Sequence, residues 1–214
     1  MSFDAVAPWY RALETIAFGN SLQRARLACL PEIGSPDRAL IVGEGNGRFL
    51  VALLHAHPQL EVDCLDASER MLHLARERIE RELSGADKRV RFLHRNIESW
   101  MPPNVPYGLI VTHFFLDCFL PDQIERIVSK LAQAATGDAQ WLLADFHIPA
   151  NGVARLEARA GLPAMYAFFR FVAGIDGREL IDASPFLRAR DFELAFERTL
   201  RRGLLKSQLW RRSC

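Results

Sequence analysis

Apolar residues in the first two thirds of the chain follow two alternating patterns. Short segments rich in apolar residues, which are typical of strands, occur at residues 39–42, 60–65, 90–93, 109–115 and 141–146; only the first is continuously apolar. Apolar residues three or four positions apart follow three of these runs and predict helices over 49–54, 71–83 and 123–135. Because parallel crossovers are right-handed and cover a face of the sheet, this order predicts an α/β fold with helices on both faces.

The two ends of the chain depart from this alternation. Residues 7–30 show helical spacing that is interrupted at Gly19, which predicts two short helices before the first strand. Residues 150–190 are helical in pattern and rich in aromatic side chains. Beyond them, apolar residues alternate on either side of Gly203 and predict an antiparallel hairpin.

Composition narrows the classes of function. The 214 residues include 27 basic and 26 acidic ones, so the strong positive field of many nucleic-acid-binding proteins is missing. The four cysteines are too scattered for a zinc site and indicate reduced thiols. Neither a signal-like start nor an apolar stretch of about 18 residues occurs. We therefore expect a cytoplasmic protein with no membrane span and no nucleic-acid partner.

A glycine-rich loop follows the first predicted strand. Gly43, Gly45 and Gly47 alternate with Glu44 and Asn46. Glycine lets a backbone turn sharply and approach a ligand, and the helix that follows offers free N–H groups. Such a loop is also compatible with a purely structural turn.

Arg48 and Asp66 bear on which ligand this loop would hold. A dinucleotide fingerprint opened by Gly43 requires glycine at position 48, where the chain has Arg48. Asp66 ends the second strand, nineteen residues after Gly47, where a carboxylate can accept hydrogen bonds from both hydroxyls of a ribose. The alternative is that Asp66 or Ser68 only caps the next helix. The spacing from the glycine loop favours ribose binding.

Two motifs together resemble a known family. G-x-G-x-G after the first strand and L-D-A-S-x-x-M-L after the second are similar to class I S-adenosylmethionine-dependent methyltransferases, especially small-molecule enzymes of the quinone-biosynthesis type. Residues 3–10 resemble the F-D-x-x-A-x-x-Y start of that group. The resemblance implies S-adenosyl-L-methionine as cofactor and a small acceptor.

The same resemblance assigns roles to individual residues. It implies that parts of the cofactor contact these residues: the methionine part contacts Gly43, Gly45 and Gly47, the ribose contacts Asp66, and the adenine contacts Ala67, Met71, Asn96 and Ile97. On the fourth strand, Thr112, His113 and Phe114 would also face the cofactor.

Three positions depart from the family pattern. Ile41 stands where the family often has an acid that holds the cofactor ammonium, and Glu44 is the candidate substitute. Asn96 replaces a usual acid, although its amide can still pair with adenine. Gly108 replaces an acid at the start of the fourth strand. These departures leave open a non-catalytic, cofactor-binding protein, and the weaker alternative is an NAD(P)-dependent oxidoreductase.

Candidate catalytic residues lie near the carboxyl ends of the strands. A general base is optional because the cofactor supplies the reactive bond. His113 is the best single candidate, ahead of Asp117 and His147, although each also fits a hydrogen-bonded edge or capping role. His55 and His57 cannot share one helical face, so no metal site is expected.

The resemblance also organises the chain. We expect one domain with a Rossmann-like, doubly wound, seven-stranded sheet that is mostly parallel and ends in the antiparallel hairpin. The expected parts are a helical cap (1–36), a cofactor-binding core (37–149), a helical insertion or lid (150–190) and the hairpin (191–214). The acceptor is expected to be partly apolar and to bind between the sheet edge and residues 3–10 and 165–171.

Overall fold

The computed structural model describes residues 20–149 and 180–213. Its helices are α1 (Ser21–Leu27), α2 (Arg48–Ala56), α3 (Glu69–Glu82), α4 (Pro121–Gln133) and α5 (Ser184–Arg188). Its strands are β1 (Arg38–Val42), β2 (Glu61–Asp66), β3 (Val90–His94), β4 (Tyr107–His113), β5 (Ala135–Phe146), β6 (Phe192–Leu200) and β7 (Leu205–Arg212). The first cap helix predicted from sequence and residues 150–179 of the predicted insertion or lid lie outside the described residues, whereas the end of that segment is described and contains α5.

The seven strands form one sheet in the order β3-β2-β1-β4-β5-β7-β6. The pairs among β1 to β5 are parallel, whereas β7 is antiparallel to both β5 and β6. The predicted seven-stranded, doubly wound α/β sheet is thus confirmed. The strand order reverses between β1 and β4, and in open α/β sheets ligands bind at the carboxyl ends of strands at such a switch point.

The central strand β1 is buried on both faces. Leu40 and Val42 belong to a core with α4, whereas Ala39 and Ile41 belong to a core with α2 and α3. Two apolar layers therefore fix the position of β1. The loop that follows Val42 starts from a rigid strand end.

Two strands differ from their predicted ranges. β4 ends at His113 because Phe114 adopts a left-handed backbone conformation with φ of +52°. β5 begins at Ala135, six residues before the predicted start. Its first half carries exposed residues such as Gly137 and Asp138, so no apolar run marks it. The predicted hairpin is confirmed as β6 and β7, joined through a 3-10 turn at Arg201–Gly203.

Candidate functional site

Three glycines of the loop between β1 and α2 have left-handed backbone conformations, and each has different surroundings. Gly43, Gly45 and Gly47 have φ of +70°, +73° and +82°. A Cβ on Gly47 would lie 2.8 Å from Cα of Ala75, so this glycine lets α2 pack against α3. A Cβ on Gly43 would meet the Phe115 ring, at 2.6 Å from Cδ2, whereas nothing lies within 4 Å at Gly45. Gly45 therefore borders open space.

A large cleft lies at the carboxyl ends of β1, β2 and β4. It encloses about 900 Å³, part of it open to solvent. Eight of the residues assigned from sequence line it: Gly43, Gly45, Asp66, Ala67, Met71, Asn96, Ile97 and Phe114. The cleft continues along the apolar side chains of Phe115 and Phe119 and the thiol of Cys118. Residues that follow four different strands thus border one space.

Asp66 stands in this cleft at the end of β2. Its Oδ1 accepts a hydrogen bond from the Ser68 N–H at 2.9 Å. Ser68 in turn caps α3, because its Oγ accepts from the Met71 N–H at 3.1 Å. The helix cap expected at this position is thus Ser68, and Asp66 holds the turn that leads into it.

Asn96 shapes the opposite side of the same cleft. Its Oδ1 accepts from the Glu98 N–H at 2.9 Å and closes a tight turn. Lys130 fixes this turn from α4, because its Nζ donates to the carbonyl oxygens of Ile97 and Glu98 at 3.0 and 2.5 Å. The turn is therefore held in place without any ligand.

A small cavity lies on the other side of the glycine loop. It encloses about 330 Å³ and shares Gly43, Gly45 and Phe114 with the large cleft. Its remaining walls are Arg26 of α1, Glu44 and Asn46 of the loop, Arg48 and Phe49 of α2, and His113 of β4. The small cavity is lined mainly by polar and charged side chains.

Glu44 is a buried cap of α2. Its Oε1 accepts hydrogen bonds from the N–H groups of Phe49 and Leu50 at 3.1 and 3.0 Å. Burial raises the pKa of Glu44 to about 7, although these hydrogen bonds and the charge of Arg26 act in the opposite direction. The carboxyl suggested as a substitute ligand for the cofactor ammonium thus already stabilises a helix end.

His113 lies at the end of β4 with its ring turned toward α2. The ring is 6% exposed and contacts Phe49 edge to face, with ring centroids 4.5 Å apart. Neither ring nitrogen has a hydrogen-bond partner among residues 20–149 and 180–213. Burial, with a smaller effect from the Arg26 charge, holds the pKa of His113 well below its usual value. The ring is therefore neutral at pH 7.

Comparison with known proteins agrees with this architecture. Residues 40–140 match a family described as a methyltransferase domain, and this range includes the glycine loop, Asp66 and β4. This part of the chain is therefore similar to a methyltransferase domain. A search of curated proteins finds no match for the chain.

Solved structures share the fold of this chain at low sequence identity. An O-methyltransferase family protein from Burkholderia thailandensis is 18% identical with a TM-score of 0.70, over 95% of this chain and 60% of that one. An O-methyltransferase family 2 protein from Planctomyces limnophilus, in complex with apigenin, is 17% identical with a TM-score of 0.71, over 97% and 62%. This chain thus spans about 60% of the length of these two proteins.

A third structure is closer to this chain in length. It is the 1,6-didemethyltoxoflavin-N1-methyltransferase of Burkholderia thailandensis with bound 1,6-didemethyltoxoflavin and S-adenosylhomocysteine. It is 16% identical with a TM-score of 0.69, over 98% of this chain and 85% of that one. The TM-scores of the three structures establish a shared fold at these low identities.

Two residues assigned to the cofactor from sequence do not line either the large cleft or the small cavity. Thr112 is fully buried, and its Oγ1 accepts a hydrogen bond from Trp141 Nε1 at 2.8 Å on the α4 face. Successive strand residues point to opposite faces, so Thr112 and His113 cannot both face one ligand. Gly47 contacts Ala75 instead of lining the cleft. Thr112 and Gly47 thus pack in the core of the described residues, and their assignment to the cofactor stays a prediction.

The other candidate acids and bases have separate surroundings. Asp117 is buried in a 3-10 turn after β4, next to Asp145 at the end of β5. Burial, followed by the nearby Asp117, raises the pKa of Asp145 well above its usual range. His147 follows β5, and its backbone N–H donates to the Leu204 carbonyl. Burial lowers the pKa of the His147 ring.

Sequence reasoning missed several residues of the site. Cys118 and Phe119 line the large cleft beside Phe115, whose segment resembles the substrate-facing edge of the family, and Arg26 lines the small cavity. The phenylalanines had a usable signal, because an aromatic cluster directly after β4 falls at the carboxyl edge of the sheet. Arg26 had no such signal, because only tertiary packing brings α1 to the glycine loop.

Within the described ranges, no three His, Cys, Asp or Glu side chains are grouped to hold a metal ion, and no helix is long and apolar enough to cross a membrane.

Proposed function

We propose that this protein transfers a methyl group from S-adenosylmethionine to a small, partly apolar acceptor. The large cleft is the observation that carries the proposal. It lies at the switch point of the sheet and brings Gly45, Asp66 and Ile97 to a single space. The methyltransferase domain match and the solved methyltransferases of the same fold support the same activity.

The residues of the cleft fit the nucleoside part of this cofactor. Ala67, Met71 and Ile97 offer apolar surface to a flat base, and Asp66 carries two oxygens that match the two hydroxyls of a ribose. The open space at Gly45 lets a ligand approach the loop backbone. Asn96 adds an amide that can donate to the base.

When bound, S-adenosylmethionine supplies an electrophilic methyl group on a sulfonium. The chain then has to orient the acceptor in line with that group and exclude water. Phe114, Phe115 and Phe119 are placed for both tasks, because they surround the cleft on the side where β4 ends. A neutral acceptor hydroxyl or amine would need proton removal only as the new bond forms, so a permanently charged base is not required.

Several observations favour a small acceptor. The cleft beyond the nucleoside residues is lined by Phe115, Cys118 and Phe119, which suit an apolar ring. Two of the compared structures hold small ring compounds, namely apigenin and 1,6-didemethyltoxoflavin. The formal net charge of +1 does not favour a nucleic acid.

We also place the protein in the cytoplasm as part of this proposal. Cys29, Cys64 and Cys118 are free thiols, and the first two are buried in the core. Burial raises the pKa of both thiols, which keeps them protonated and unreactive. Reduced thiols are typical of the compartment in which small-molecule methyltransferases of this fold would find their cofactor.

Thermal unfolding with two ligands tests the proposal. A ligand at about 100 times its dissociation constant stabilises the folded state by roughly 2.7 kcal/mol, which raises the unfolding midpoint by several degrees. We expect this shift with S-adenosylhomocysteine and none with NADH. A shift with NADH alone would contradict the proposal.

A second assay tests turnover. Transfer of a radiolabelled methyl group from S-adenosylmethionine should be detected with at least one member of a panel of small phenols, hydroxylated ring compounds and amines. Binding of S-adenosylhomocysteine without transfer to any of them would favour the non-catalytic alternative. Efficient methylation of intact protein or nucleic acid would contradict the small acceptor.

A further inference from the structure

Two peptide units of the turn after β3 are each held by hydrogen bonds at both of their polar atoms. The Ile97 and Glu98 carbonyl oxygens accept from Lys130 Nζ at 3.0 and 2.5 Å. The N–H groups of the same two units, on Glu98 and Ser99, donate to Asn96 Oδ1 at 2.9 Å and to the Asn96 carbonyl oxygen at 3.1 Å. Because a peptide unit is planar, fixing its oxygen and its N–H fixes the orientation of the whole unit.

Lys130 reaches this turn from outside the large cleft. It is a half-buried residue in the last turn of α4. The described residues that border the large cleft do not include it. Its ammonium group makes charge-assisted hydrogen bonds, which are stronger than those between neutral groups. Lys130 can therefore act on a ligand in the cleft through the turn, without touching the ligand.

Apolar packing secures the ends of the turn but not its middle. Ile97 and Trp100 are buried in the core that α4 covers. Between them, Glu98 and Ser99 are exposed, so the orientation of their peptide units depends on hydrogen bonds. Removing the Lys130 ammonium should therefore loosen the middle of the turn without opening the core.

The orientation of the turn decides how two cleft residues meet a ligand. Asn96 and Ile97 stand at its start and line the large cleft, on the side where the proposed function places the base. Asn96 Oδ1 is already engaged by the Glu98 N–H, so the N–H groups of this amide remain for a ligand. A turn that is ordered before binding lowers the entropy loss on binding.

We infer that Lys130 is a positioning residue for the base of the cofactor. By holding the turn after β3 in one geometry, it raises the affinity for the nucleoside part without contacting it. This inference rests on the proposed function. It predicts that the loss of Lys130 acts on the N–H groups that donate to Asn96, namely those of Glu98, Ser99 and Trp100.

Calorimetric titration with two ligands tests the effect on binding. S-adenosylhomocysteine and adenosine share the base and the ribose. In Lys130→Met, both should bind about threefold to tenfold more weakly and by the same factor, because the two lost hydrogen bonds are only partly buried and act on the nucleoside side. Lys130→Arg retains a charged donor and should recover most of the affinity. Arg126→Met is the matched control, since Arg126 is an exposed cation of the same helix that pairs with Asp122 at 2.9 Å.

Hydrogen exchange followed by NMR tells a local effect from a change of the whole fold. In ligand-free Lys130→Met, the N–H groups of Glu98, Ser99 and Trp100 should exchange at least about tenfold faster than in the wild type, whereas those of β1 and β4 should not change. Saturation with S-adenosylhomocysteine should restore the protection. Lys130→Gln, which keeps donors without the charge, provides the same measurements if Lys130→Met fails to fold.

The outcomes separate this inference from the function on which it rests. Unchanged affinity in Lys130→Met, faster exchange throughout the sheet, or a loss for S-adenosylhomocysteine that adenosine does not share would each overturn the role of Lys130 while leaving cofactor binding intact. Failure of the wild-type protein to bind either ligand would overturn the proposed function and this inference with it.

Discussion

The large cleft and the small cavity adjoin at the glycine loop, yet they are built in opposite ways. In the large cleft, the polar side chains of Asp66 and Asn96 are engaged in local turns and border a partly open space. In the small cavity, Glu44 and His113 are buried, and burial shifts the pKa of each toward its uncharged form.

This difference has consequences for stability and binding. The polar groups of the large cleft stay hydrated or locally paired before a ligand arrives, so changing them should alter affinity more than folding. In the ligand-free protein, burial of the polar groups of the small cavity costs free energy of folding. Changing them should therefore alter the free energy of unfolding and its dependence on pH.

The largest expected effect distinguishes two acids on one strand. Asp63 is buried and accepts hydrogen bonds from Arg91 Nε at 2.9 Å and Tyr107 Oη at 2.5 Å. Asp63→Ala leaves these groups without their acceptor, so we expect a loss of roughly 3 to 5 kcal/mol in the free energy of unfolding. Asp66→Ala should cost far less stability. Urea denaturation of both variants measures the difference.

For affinity, we expect the reverse order of the two variants, with the larger effect in Asp66→Ala. Asp66→Ala should weaken S-adenosylhomocysteine by about tenfold or more, because hydrogen bonds to a charged acceptor are lost at about 1.5 to 3 kcal/mol each. A folded Asp63→Ala variant should bind nearly as the wild type does. Small, equal effects of both changes on affinity would mean that Asp66 only holds its turn.

The next effect concerns pH and the buried cap of α2. The folded protein keeps a proton on Glu44 up to a pKa of about 7, whereas the unfolded chain releases it near 4.5. The contribution of protonated Glu44 to the free energy of unfolding is therefore complete below pH 4.5. It falls by roughly 3 kcal/mol as the pH rises to 7. Glu44→Gln keeps an oxygen for the helix cap and should lack this loss.

Thermal or urea unfolding between pH 4.5 and 8 measures that contrast. The stability of Glu44→Gln relative to the wild type should rise with pH across this window. Arg26 and Asp66 are the charged groups whose fields act on Glu44, with opposite signs, so both must be present in the two proteins compared. Glu98→Gln, at the exposed rim of the large cleft, is the matched control. Parallel pH profiles of the wild type and Glu44→Gln would contradict the buried, protonated Glu44.

A smaller effect distinguishes the glycines. Gly47→Ala adds a Cβ that would lie 2.8 Å from Cα of Ala75 at a φ of +82°, so we expect a loss of about 2 to 3 kcal/mol in unfolding free energy. Gly45→Ala meets no atom within 4 Å and should cost only the backbone strain of about 1 to 2 kcal/mol. Denaturation curves should show this order, and the reverse order would place Gly45 in the packed core.

The nucleoside side of the site was predictable from sequence because its signals are local. The G-x-G-x-G loop, Asp66 and the Ser68 cap each lie next to a strand end that an apolar run marks. Glu44 was harder, because its reach to the Phe49 and Leu50 N–H groups depends on the path of the loop.

The small cavity could not be predicted as a unit. Arg26, Glu44 and His113 lie in three distant parts of the chain, and only the packing of α1 and β4 on the glycine loop brings them together. Strand alternation was nevertheless available for β4. Leu109 and Val111 belong to the core on the α2 side of the sheet. Because side chains alternate between the two faces of a strand, His113 lies on that side too, whereas Thr112 lies on the other.

The smallest expected effect tests this assignment of faces at Thr112. Thr112→Val removes the oxygen that accepts from the buried Trp141 Nε1, and an unsatisfied buried donor costs about 1 to 2 kcal/mol. Because Thr112 lies on the α4 face, affinity for S-adenosylhomocysteine should stay unchanged. Thr112→Ser keeps the acceptor and should recover most of the stability. A drop in affinity with unchanged stability in Thr112→Val would return Thr112 to the cofactor site and contradict the separation of the two faces of β4.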